Sequence, residues 1–330
     1  MILILSQSDA DPTTELVADW IEALGGTWAR LNGEDLEGSV SISLELESGG
    51  VKAALSIAGQ QILPESVSAV WFRRWHRLQN LGAEKIKDHV LTFAAVLNHQ
   101  TRELAAASRA LFSRFKDAEW LSDPSTASPF KLEVLQQAAA VSLDIPSTLL
   151  TNDKIIAREF KARHGRVIVK AVNSSVGIPC DGEIALMYTS ELTDDVVDSM
   201  PSQFFPSLLQ ELIPKSYEIR SFYLAGEFYS MAIFSQADPA TEIDFRRYNS
   251  HIPNRTVPYR LPDTVCHRLR LLMERMNLET GSVDMIRSVD GRFVFLEVNP
   301  VGQFGMVSQP CNYLLEKKVA RHLMGLGNHD

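Results

Sequence analysis

The sequence predicts a multidomain α/β protein, and three observations point to that fold class. The chain has 330 residues, which is enough for two or three domains with buried cores. Strand and helix patterns alternate through residues 1 to about 122, as they do in a single α/β unit. Farther along, short strand patterns predominate, and they include a hairpin pattern around Asp290-Gly291.

Turn and cap residues set the limits of the N-terminal elements. Asp11-Pro12 is a helix start and Gly25-Gly26 the matching stop, whereas Ser48-Gly49-Gly50 separates the two strands of a hairpin. Arg73-Arg74 follows the last strand, where it fits either a peptide or phosphate contact or a solvated strand end. The predicted strands are residues 2–5, 39–47, 51–57 and 67–72, and the predicted helices are residues 11–24 and 84–115.

A linker separates this unit from the rest of the chain. Ser122-Asp123-Pro124 and Ser128-Pro129 mark it. Residues 238–258 are polar and show no regular pattern. A loop of this length is uncommon inside a compact domain unless it has a function. The other segments after the linker are predicted helices at 131–141, 153–164, 263–276 and 313–326, and extended segments at 145–151, 166–172, 208–213, 218–224 and 227–236.

Net charge, cysteine content and the length of apolar runs limit the classes of protein to which the chain can belong. The formal net charge of −9 argues against a protein that binds nucleic acid by neutralising phosphates. Cys180, Cys266 and Cys311 are scattered without metal-ligand spacing, which predicts a reducing compartment. The apolar N-terminal run is too short for a signal peptide, and no run approaches the ~20 apolar residues of a membrane span. We therefore expect a cytoplasmic protein that acts without a membrane.

The hairpin around Asp290-Gly291 carries the most informative pattern. With a two-residue turn there, Asp284 lies directly opposite Glu297, and Asn299 follows on the same face. Opposed carboxylates repel each other, whereas a hard cation such as Mg²⁺ binds two carboxylates and an amide oxygen well. A solvated edge is the alternative, but two phenylalanines expected on that face favour the metal. These are Phe293 and Phe295, and the opposite face is expected to carry Val283, Met285, Val294, Leu296 and Val298.

Basic and polar side chains precede this hairpin at the ends of predicted strands and helices. Lysine binds phosphate as a point charge, and arginine binds phosphate oxygens as a planar fork. Taken singly, each of these side chains also fits an ordinary solvated position, but together they match what a nucleoside triphosphate requires. In chain order they are Lys131, Lys170, the run Gln210 to Ile213, Tyr217 to Arg220, and Asp244 to Arg247.

This order of residues resembles the ATP-grasp superfamily over residues 123 to about 315. Nearly the whole chain further resembles the peptide maturases that make graspetides, including the microviridin-type ligases and the grasp-with-spasm maturases. The segment Glu297-Val-Asn-Pro-Val-Gly-Gln-Phe-Gly-Met is the most specific part of that likeness. The other matching segments begin at Trp71, Trp120, Tyr217, Asp244 and Cys311.

The resemblance implies an ATP-grasp fold in three parts. Residues 1–122 would be a pre-grasp α/β domain, residues 123–210 a central α+β subdomain, and residues 211–330 a C-terminal α+β subdomain with an antiparallel sheet. ATP would bind between the last two. The implied activity uses ATP and Mg²⁺ to macrocyclise a ribosomally made precursor peptide, which consists of a leader and a core rich in Thr, Ser, Asp and Glu. It also implies a homodimer and no nucleic-acid partner.

The resemblance also implies a role for each site residue. Lys131 and Lys170 would contact the α- and β-phosphates, and Glu218 the ribose. Other nucleotide contacts would come from Gln210 and from the adenine-binding hinge of Glu211, Leu212 and Ile213. Arg220, Arg247 and Arg246 would meet the γ-phosphate or the acyl phosphate, and Asp284, Glu297 and Asn299 would bind Mg²⁺.

The phosphate flap and the general base are less well defined by the sequence. The segment Asn173-Ser-Ser-Val-Gly177 has one glycine, a departure from the glycine-rich flap of the family. Asp244 and His251 in the long loop are candidates for a general base that activates a hydroxyl nucleophile, although a loop histidine also fits simple exposure to water.

Two rival functions also fit these residues. One is another ATP-grasp ligase, which adds an amino acid to a protein or joins small metabolites. The other is a non-catalytic, ATP-dependent peptide-binding module, against which the intact set Asp284, Glu297 and Asn299 argues.

Overall fold

The structure is a computed structural model that describes residues 1–8, 11–75, 90–173, 177–180, 183–186, 189–236 and 254–327. Its contacts divide the chain into two compact units. The first unit comprises residues 1–127, 303–308 and 314–330, and the second comprises residues 128–302 and 309–313. The predicted three-domain division stays a prediction.

The described elements follow in chain order. The strands are β1 Ile2–Ser6, β2 Trp28–Asn32, β3 Val40–Glu47, β4 Gly50–Ile57, β5 Gln60–Ile62, β6 Ala69–Phe72, β7 Glu119–Leu121, β8 Thr148–Asp153, β9 Val167–Lys170, β10 Gly177–Cys180, β11 Glu183–Leu186, β12 Ser190–Glu191, β13 Gln203–Glu211, β14 Lys215–Leu224, β15 Glu227–Phe234, β16 Arg255–Tyr259, β17 Thr280–Ser288 and β18 Phe293–Asn299. The helices are α1 Pro12–Ala23, α2 Val90–Phe112, α3 Lys131–Ala140, α4 Lys154–His164, α5 Asp194–Ser199, α6 Asp263–Arg275, α7 Gly305–Cys311 and α8 Leu315–Leu323.

The first unit is built on a parallel sheet. Its strand order is β2-β1-β6-β7, and β1 pairs in parallel with both β2 and β6. All five residues of β1 are buried, as expected for a central parallel strand whose two faces are both covered. Strands β3, β4 and β5 form a separate antiparallel sheet, which includes the hairpin predicted around Ser48-Gly49-Gly50. The short strands β2, β5 and β7 were not predicted.

Arg73 contradicts both interpretations suggested by the sequence. Its side chain is only 2 % exposed, and its Nε lies 3.0 Å from Oδ2 of Asp11, which is fully buried. Arg73 Nη2 donates to Thr13 Oγ1 at 3.3 Å, and the guanidinium carbon lies 5.5 Å from the centre of the Phe304 ring. Burial lowers the pKa of Arg73 to about 10. The residue is therefore part of the interior of the first unit and not a solvated strand end.

The second unit contains two larger antiparallel sheets. One has the strand order β12-β9-β13-β8, and the other has the order β16-β15-β14-β17-β18. Helices α3 and α6 cover one face of the five-stranded sheet, where Leu135, Leu269 and Met273 join the strand residues Val283 and Phe295 in one buried cluster. The other face of that sheet carries the predicted site residues Glu218, Arg220, Asp284 and Glu297.

The acidic hairpin has the predicted pairing but a different turn. Asp284 lies opposite Glu297, as predicted. Ser288 N donates to Arg292 O, which makes a three-residue loop with Gly291 at φ +89° in place of a two-residue Asp290-Gly291 turn. A bulge between this loop and Asp284 restores the predicted register.

The bulge also changes which residues face the core. Phe295 pairs with Met285, is fully buried and belongs to the core cluster, so its prediction on the acidic face was wrong. Phe293 packs against the same cluster. Val294 instead packs with Ile213 and Ile286 in a second cluster, and Leu296 packs against it. A one-residue slip moves every side chain to the other face of a strand, and the bulge produces such a slip here.

Other predicted elements differ at their ends. Residues 255–258, predicted as part of a loop, belong to β16, which pairs with β15. The last helix begins at Leu315 and not at Tyr313, and α7 precedes it unpredicted. The long predicted helix ends as α2 at Phe112 with a 3-10 turn at Ser113–Phe115, while its start lies outside the described residues. Within the described part of the chain, no helix is long and apolar enough to cross a membrane.

Candidate nucleotide and metal site

Arg220, Asp284 and Glu297 form a row across three neighbouring strands of the five-stranded sheet. Arg220 on β14 lies opposite Asp284 on β17, which lies opposite Glu297 on β18. Arg220 Nη1 donates to both carboxylate oxygens of Asp284, at 2.8 and 2.6 Å. The Arg220 and Asp284 side chains are 12 % and 16 % exposed, and that of Glu297 is 30 % exposed. The row is therefore shielded but still open to a ligand.

Lys131 connects this row to the neighbouring sheet. It is the first residue of α3, and its Nζ lies 3.8 Å from Oε2 of Glu297. The same ammonium group donates to the carbonyl of Ala171 at 3.3 Å, directly after β9. Lys131 therefore balances the charge of Glu297, as Arg220 balances that of Asp284.

Lys170 and Gln210 lie together on the four-stranded sheet. Lys170 ends β9, as predicted, and its Nζ donates to Gln210 Oε1 at 3.4 Å. The amide nitrogen of Gln210 donates to Thr148 Oγ1 at 3.1 Å, and Gln210 is buried. Gln210 therefore orients the Lys170 ammonium group. Thr148, which accepts from the Gln210 amide, was not among the predicted site residues.

The predicted hinge is the connection between the two sheets. Glu211 ends β13, and β14 begins at Lys215. The N–H groups of Glu211 and Leu212 already donate to the carbonyls of Ser147 and Arg166. In the part of the chain that the structure describes, no group accepts a hydrogen bond from the N–H of Ile213. Ile213 therefore retains a donor, whereas Glu211 and Leu212 do not.

Glu218 is held by two partners that sequence reasoning missed. Its carboxylate accepts from Lys215 Nζ and, at 2.8 Å, from Ser235 Oγ. Burial raises the pKa of Glu218, Lys215 and Ser235 oppose that shift, and the nearby charge of Asp284 adds to it. Lys215 is three residues before Glu218, a spacing that puts two side chains on opposite faces of a regular strand. An irregularity between Lys215 and Tyr217 brings them to one face.

The predicted donor set for a metal consists of two carboxylates and one amide. Asn299 is exposed and lies two residues beyond Glu297 on the same strand. The main-chain carbonyl of Asn299 accepts from the N–H of Gly302. A Cβ added at Gly302 would lie 2.7 Å from the Cβ of Ser282. Only glycine therefore permits this tight turn beside the site. Across the described segments, no group of three or more His, Cys, Asp or Glu residues is placed to hold a metal ion. The predicted metal site contains only two acids, Asp284 and Glu297, so its third ligand would be the amide of Asn299.

Some predicted residues are not described. Asp244, Arg246, Arg247 and His251 lie outside the described residues, as does the middle of the segment from Asn173 to Gly177. Their predicted roles stay predictions. The described residues alone bring together three acids (Glu218, Asp284 and Glu297), four cationic side chains and a hinge with a donor. In chain order the cations are Lys131, Lys170, Lys215 and Arg220.

The charge pattern suits an anion held through a metal. Each acid of the row is already paired with a cation, so that the face is close to neutral without a ligand. A divalent cation on Asp284 and Glu297 would release the arginine and the lysine to bind phosphate oxygens. Hard oxygen ligands of this kind suit Mg²⁺ better than a soft metal.

Comparisons with known proteins agree with this description. Residues 1–127 match the family described as the MvdD pre-ATP grasp domain. The macrocyclase MdnC from Microcystis aeruginosa MRC, solved bound with precursor peptide MdnA, is 26 % identical with a TM-score of 0.83, over 98 % of this chain and 99 % of that one. No curated protein matches the chain.

More distant structures share the fold. The RiPP-associated ATP-grasp ligase of Chryseobacterium gregarium, solved with ADP and a leader and core peptide, is 24 % identical over 98 % of this chain and 96 % of that one, with a TM-score of 0.83. The ATP-grasp ligase PsnB, solved with a minimal precursor, Mg and ADP, is 19 % identical over the same shares, with a TM-score of 0.75. The chain has the ATP-grasp fold, as predicted from its sequence.

Proposed function

The N-terminal domain match and the fold support a graspetide-type ATP-grasp maturase, and from that premise we propose that the chain is an ATP-dependent ligase that macrocyclises a precursor peptide. A carboxylate oxygen of an Asp or Glu side chain of the peptide attacks the γ-phosphorus of ATP, and ADP leaves. A Thr or Ser hydroxyl, or a Lys amine, then attacks the acyl carbon, and phosphate leaves. The product is an ω-ester or an ω-amide ring.

The row of Arg220, Asp284 and Glu297 is the observation that carries this proposal. Carboxylates do not condense with alcohols at neutral pH, because the leaving group would be oxide or hydroxide. Phosphorylation supplies a better leaving group, and positive charge must then gather around the transferring phosphoryl group. Arg220 provides that charge beside two carboxylates able to hold a metal.

Asp284, Glu297 and Asn299 would hold Mg²⁺, and their oxygen atoms fit it. When bound, Mg²⁺ offsets the negative charge that builds up on the transferring phosphoryl group. The guanidinium of Arg220 then turns from Asp284 to phosphate oxygens. It can bind two of them at once because its donors form a planar fork.

The nucleotide contacts follow from groups with spare hydrogen-bonding capacity. Ile213 N–H donates to the adenine ring, since Glu211 and Leu212 have already used theirs. Lys131 and Lys170 bind the α- and β-phosphates as point charges. Glu218 accepts from the ribose hydroxyls, and Lys215 keeps its carboxylate in place. Arg246, Arg247, Asp244 and His251 keep the roles that the resemblance implies.

The related structures support the choice of substrate. MdnC was solved with a precursor peptide, and PsnB with a minimal precursor, Mg and ADP. By likeness, we assign a precursor peptide, ATP and Mg²⁺ to this chain. We place the reaction in the cytoplasm, where ATP is available. The homodimer remains a proposal that rests on the family resemblance alone.

Incubation with a candidate precursor tests the proposal. Open reading frames beside the gene are searched for a short peptide rich in Thr, Ser, Asp and Glu. The peptide is then incubated with the enzyme, ATP and Mg²⁺, and its mass is measured. We expect the loss of one water molecule for each ring formed. Mild alkali reopens an ester ring and leaves an amide ring closed, which identifies the nucleophile.

The same measurement separates the rival functions. A mass gain equal to an amino acid would support the amino-acid ligase and contradict cyclisation. Peptide binding without any mass change would support the non-catalytic module. Glu297→Gln is the control for the metal site, and unimpaired modification by that variant would contradict the metal assignment.

A further inference from the structure

The first unit contains a cavity that the proposed reaction does not use. Its volume is about 610 Å³, within the range of sites that bind small molecules. The end of β6, the C-terminal half of α2 and the segment from Trp120 to Ser125 line it, and it is open to solvent.

Aromatic rings form one wall of the cavity. Phe112 makes edge contacts with Phe72, Trp75 and Trp120, with ring centroids 6.2, 5.0 and 6.0 Å apart. The indole N–H of Trp120 donates to the carbonyl of Phe115 at 2.8 Å, so its hydrogen bond is already made. The wall therefore offers ring faces and edges to a ligand, which suits another planar ring.

Ser108 gives the cavity one hydrogen-bonding group without a partner. The residue is only 4 % exposed, and its hydroxyl lies against no acceptor or donor in the described part of the chain. The other polar groups of the wall are engaged locally. Ser113 donates to the carbonyl of Ala110, and Asp123 accepts from Ser125. A buried polar group without a partner is rare in folded proteins, and a ligand would satisfy it.

Positive charge also lines the cavity. Arg109 and Lys116 are exposed there, and no carboxylate of the described residues lies within ion-pair distance of either. Asp123 is the acid among the lining residues, and one of its oxygens accepts from Ser125. The lining therefore has one cation more than acids, in a chain whose formal charge is −9. An anionic group is favoured beside them.

We propose that this cavity binds a planar aromatic group that carries a carboxylate. The ring lies against the wall of Phe72, Trp75, Phe112 and Trp120, and the carboxylate lies near Arg109 and Lys116. Ser108 completes the site with a hydrogen bond. Either a free aromatic acid or an aromatic side chain next to Asp or Glu in a peptide has this chemistry. The proposal does not depend on the ligase reaction.

Calorimetric titration of the full chain with 2-naphthoate tests the site. The matched control ligand is 2-naphthalenemethanol, which has the same ring and no charge. We expect 2-naphthoate to bind more tightly than the alcohol. Equal affinity of the two, or no binding of 2-naphthoate, would overturn the proposal.

Two neighbouring alanines of α2 provide a matched pair of variants. Ala105 and Ala106 are both exposed, but only Ala105 lines the cavity. Because Ala105→Trp fills the space that the ring needs, we expect about tenfold weaker binding or more, a loss that a blocked pocket causes. Ala106→Trp should bind as the unmodified chain does. Equal affinities of the two variants would contradict the assignment of the cavity.

Charge variants test the other half of the site. Arg109→Gln and Lys116→Gln should each weaken 2-naphthoate binding by about two- to fivefold, the range of a single exposed ion pair, and leave the alcohol unaffected. Arg102→Gln is the control, because Arg102 is exposed on α2 and does not line the cavity. If Arg102→Gln weakened binding as much as Arg109→Gln, general surface charge and not this cavity would account for the effect.

Competition between peptides and 2-naphthoate shows whether the natural ligand is a free aromatic acid or part of a peptide. The amidated peptides Glu-Trp-Glu and Glu-Ala-Glu are titrated against bound 2-naphthoate. Displacement by the tryptophan peptide alone supports a peptide ligand, and displacement by neither peptide supports a free aromatic acid. Equal displacement by both peptides would overturn the aromatic part of the proposal.

Discussion

Two aspartate–arginine pairs, one in each unit, show how the same two residue types serve different ends. Asp11 and Arg73 in the first unit are 0 % and 2 % exposed, and Thr13 and Phe304 surround the guanidinium. Asp284 and Arg220 in the second unit are closer together but several times more exposed. The first pair is sealed off from solvent, and the second is accessible.

The neighbours of each pair explain the difference. Around Asp11 the additional charge is that of Arg74, whose Nε is 3.7 Å away, so that a single acid faces two cations. Around Asp284 a second acid and a second cation follow in a row, Glu297 and Lys131. Removal of one partner from a buried pair is strongly destabilising, because the other charge is left unpaired in the interior. A row of alternating charges on an open face can exchange its partners for a metal and a phosphate.

The largest effect is expected for Asp284→Asn. Because the substitution removes a proposed metal ligand, the rate of peptide modification should fall about a thousandfold or more, roughly 4 kcal/mol in the barrier. The free energy of unfolding should change by no more than about 1 kcal/mol, because the pair is partly solvated. Mass spectrometry of the peptide and urea unfolding measure the two quantities.

Asp290→Asn is the matched control for that prediction. Asp290 is an exposed acid in the loop of the same hairpin, paired with Arg292. We expect unchanged modification by this variant. If Asp284→Asn retained more than a tenth of the activity, the assignment of Asp284 as a metal ligand would be wrong.

Asp11→Asn should show the reverse pattern. The variant leaves Arg73 charged and buried without its acid, which costs about 3 kcal/mol of unfolding free energy, the low end for a broken buried pair. Its α1 helix should keep its start, since the Asp11 carboxylate makes no capping hydrogen bond. The rate per folded molecule should not change. Chemical unfolding and an activity assay at low temperature measure both.

Two variants make this expectation specific to the pair. Asp19→Asn replaces an exposed acid of α1 and should leave stability unchanged. The double variant Asp11→Asn with Arg73→Met should recover part of the loss, because it also removes the buried charge. If the double variant were less stable than Asp11→Asn alone, the unpaired charge would not be the cause.

Local patterns were sufficient to predict much of the fold and the pairing of Asp284 with Glu297. Strand alternation and the Asp290-Gly291 signal depend on neighbouring residues, so a sequence reveals them. The position of the Phe295 side chain on the core face, and not on the acidic face, was not predictable in this way. The N–H of Phe295 donates to the carbonyl of Asp144 at 2.7 Å, far away in sequence, and this contact accompanies the bulge.

The unpredicted site residues have a similar origin. Lys215 reaches Glu218 through an irregularity in β14, which no local pattern marks. Arg73 fitted a strand-end charge in the sequence because its partner, Asp11, is a helix-start residue 62 positions earlier in the chain. Burial of a charge depends on tertiary contacts, so composition and periodicity predict it poorly.

Glu218→Gln tests an intermediate case, because Glu218 and Lys215 are nearly as buried as Asp11 and Arg73 but lie on the same sheet face as Arg220 and Asp284. Burial raises the pKa of Glu218 above its ordinary 4.5, and Asp284 adds to the shift. As pH rises through 4.5 the unfolded chain ionises at this position, while the folded chain keeps its proton to higher pH. The unmodified protein should therefore lose stability relative to Glu218→Gln over this window.

Urea unfolding of the nucleotide-free protein from pH 4 upward measures that difference, and Glu227→Gln, an exposed acid of β15, is the control. If burial alone defined the role of Glu218, the variant would also bind ATP as the unmodified protein does. We expect weaker ATP binding by Glu218→Gln, since an amide accepts ribose hydroxyls less strongly than a carboxylate. A flat stability difference over the pH range would show that the carboxyl group is not held by its buried environment, and unchanged ATP binding would group this pair with Asp11 and Arg73 as part of the fold.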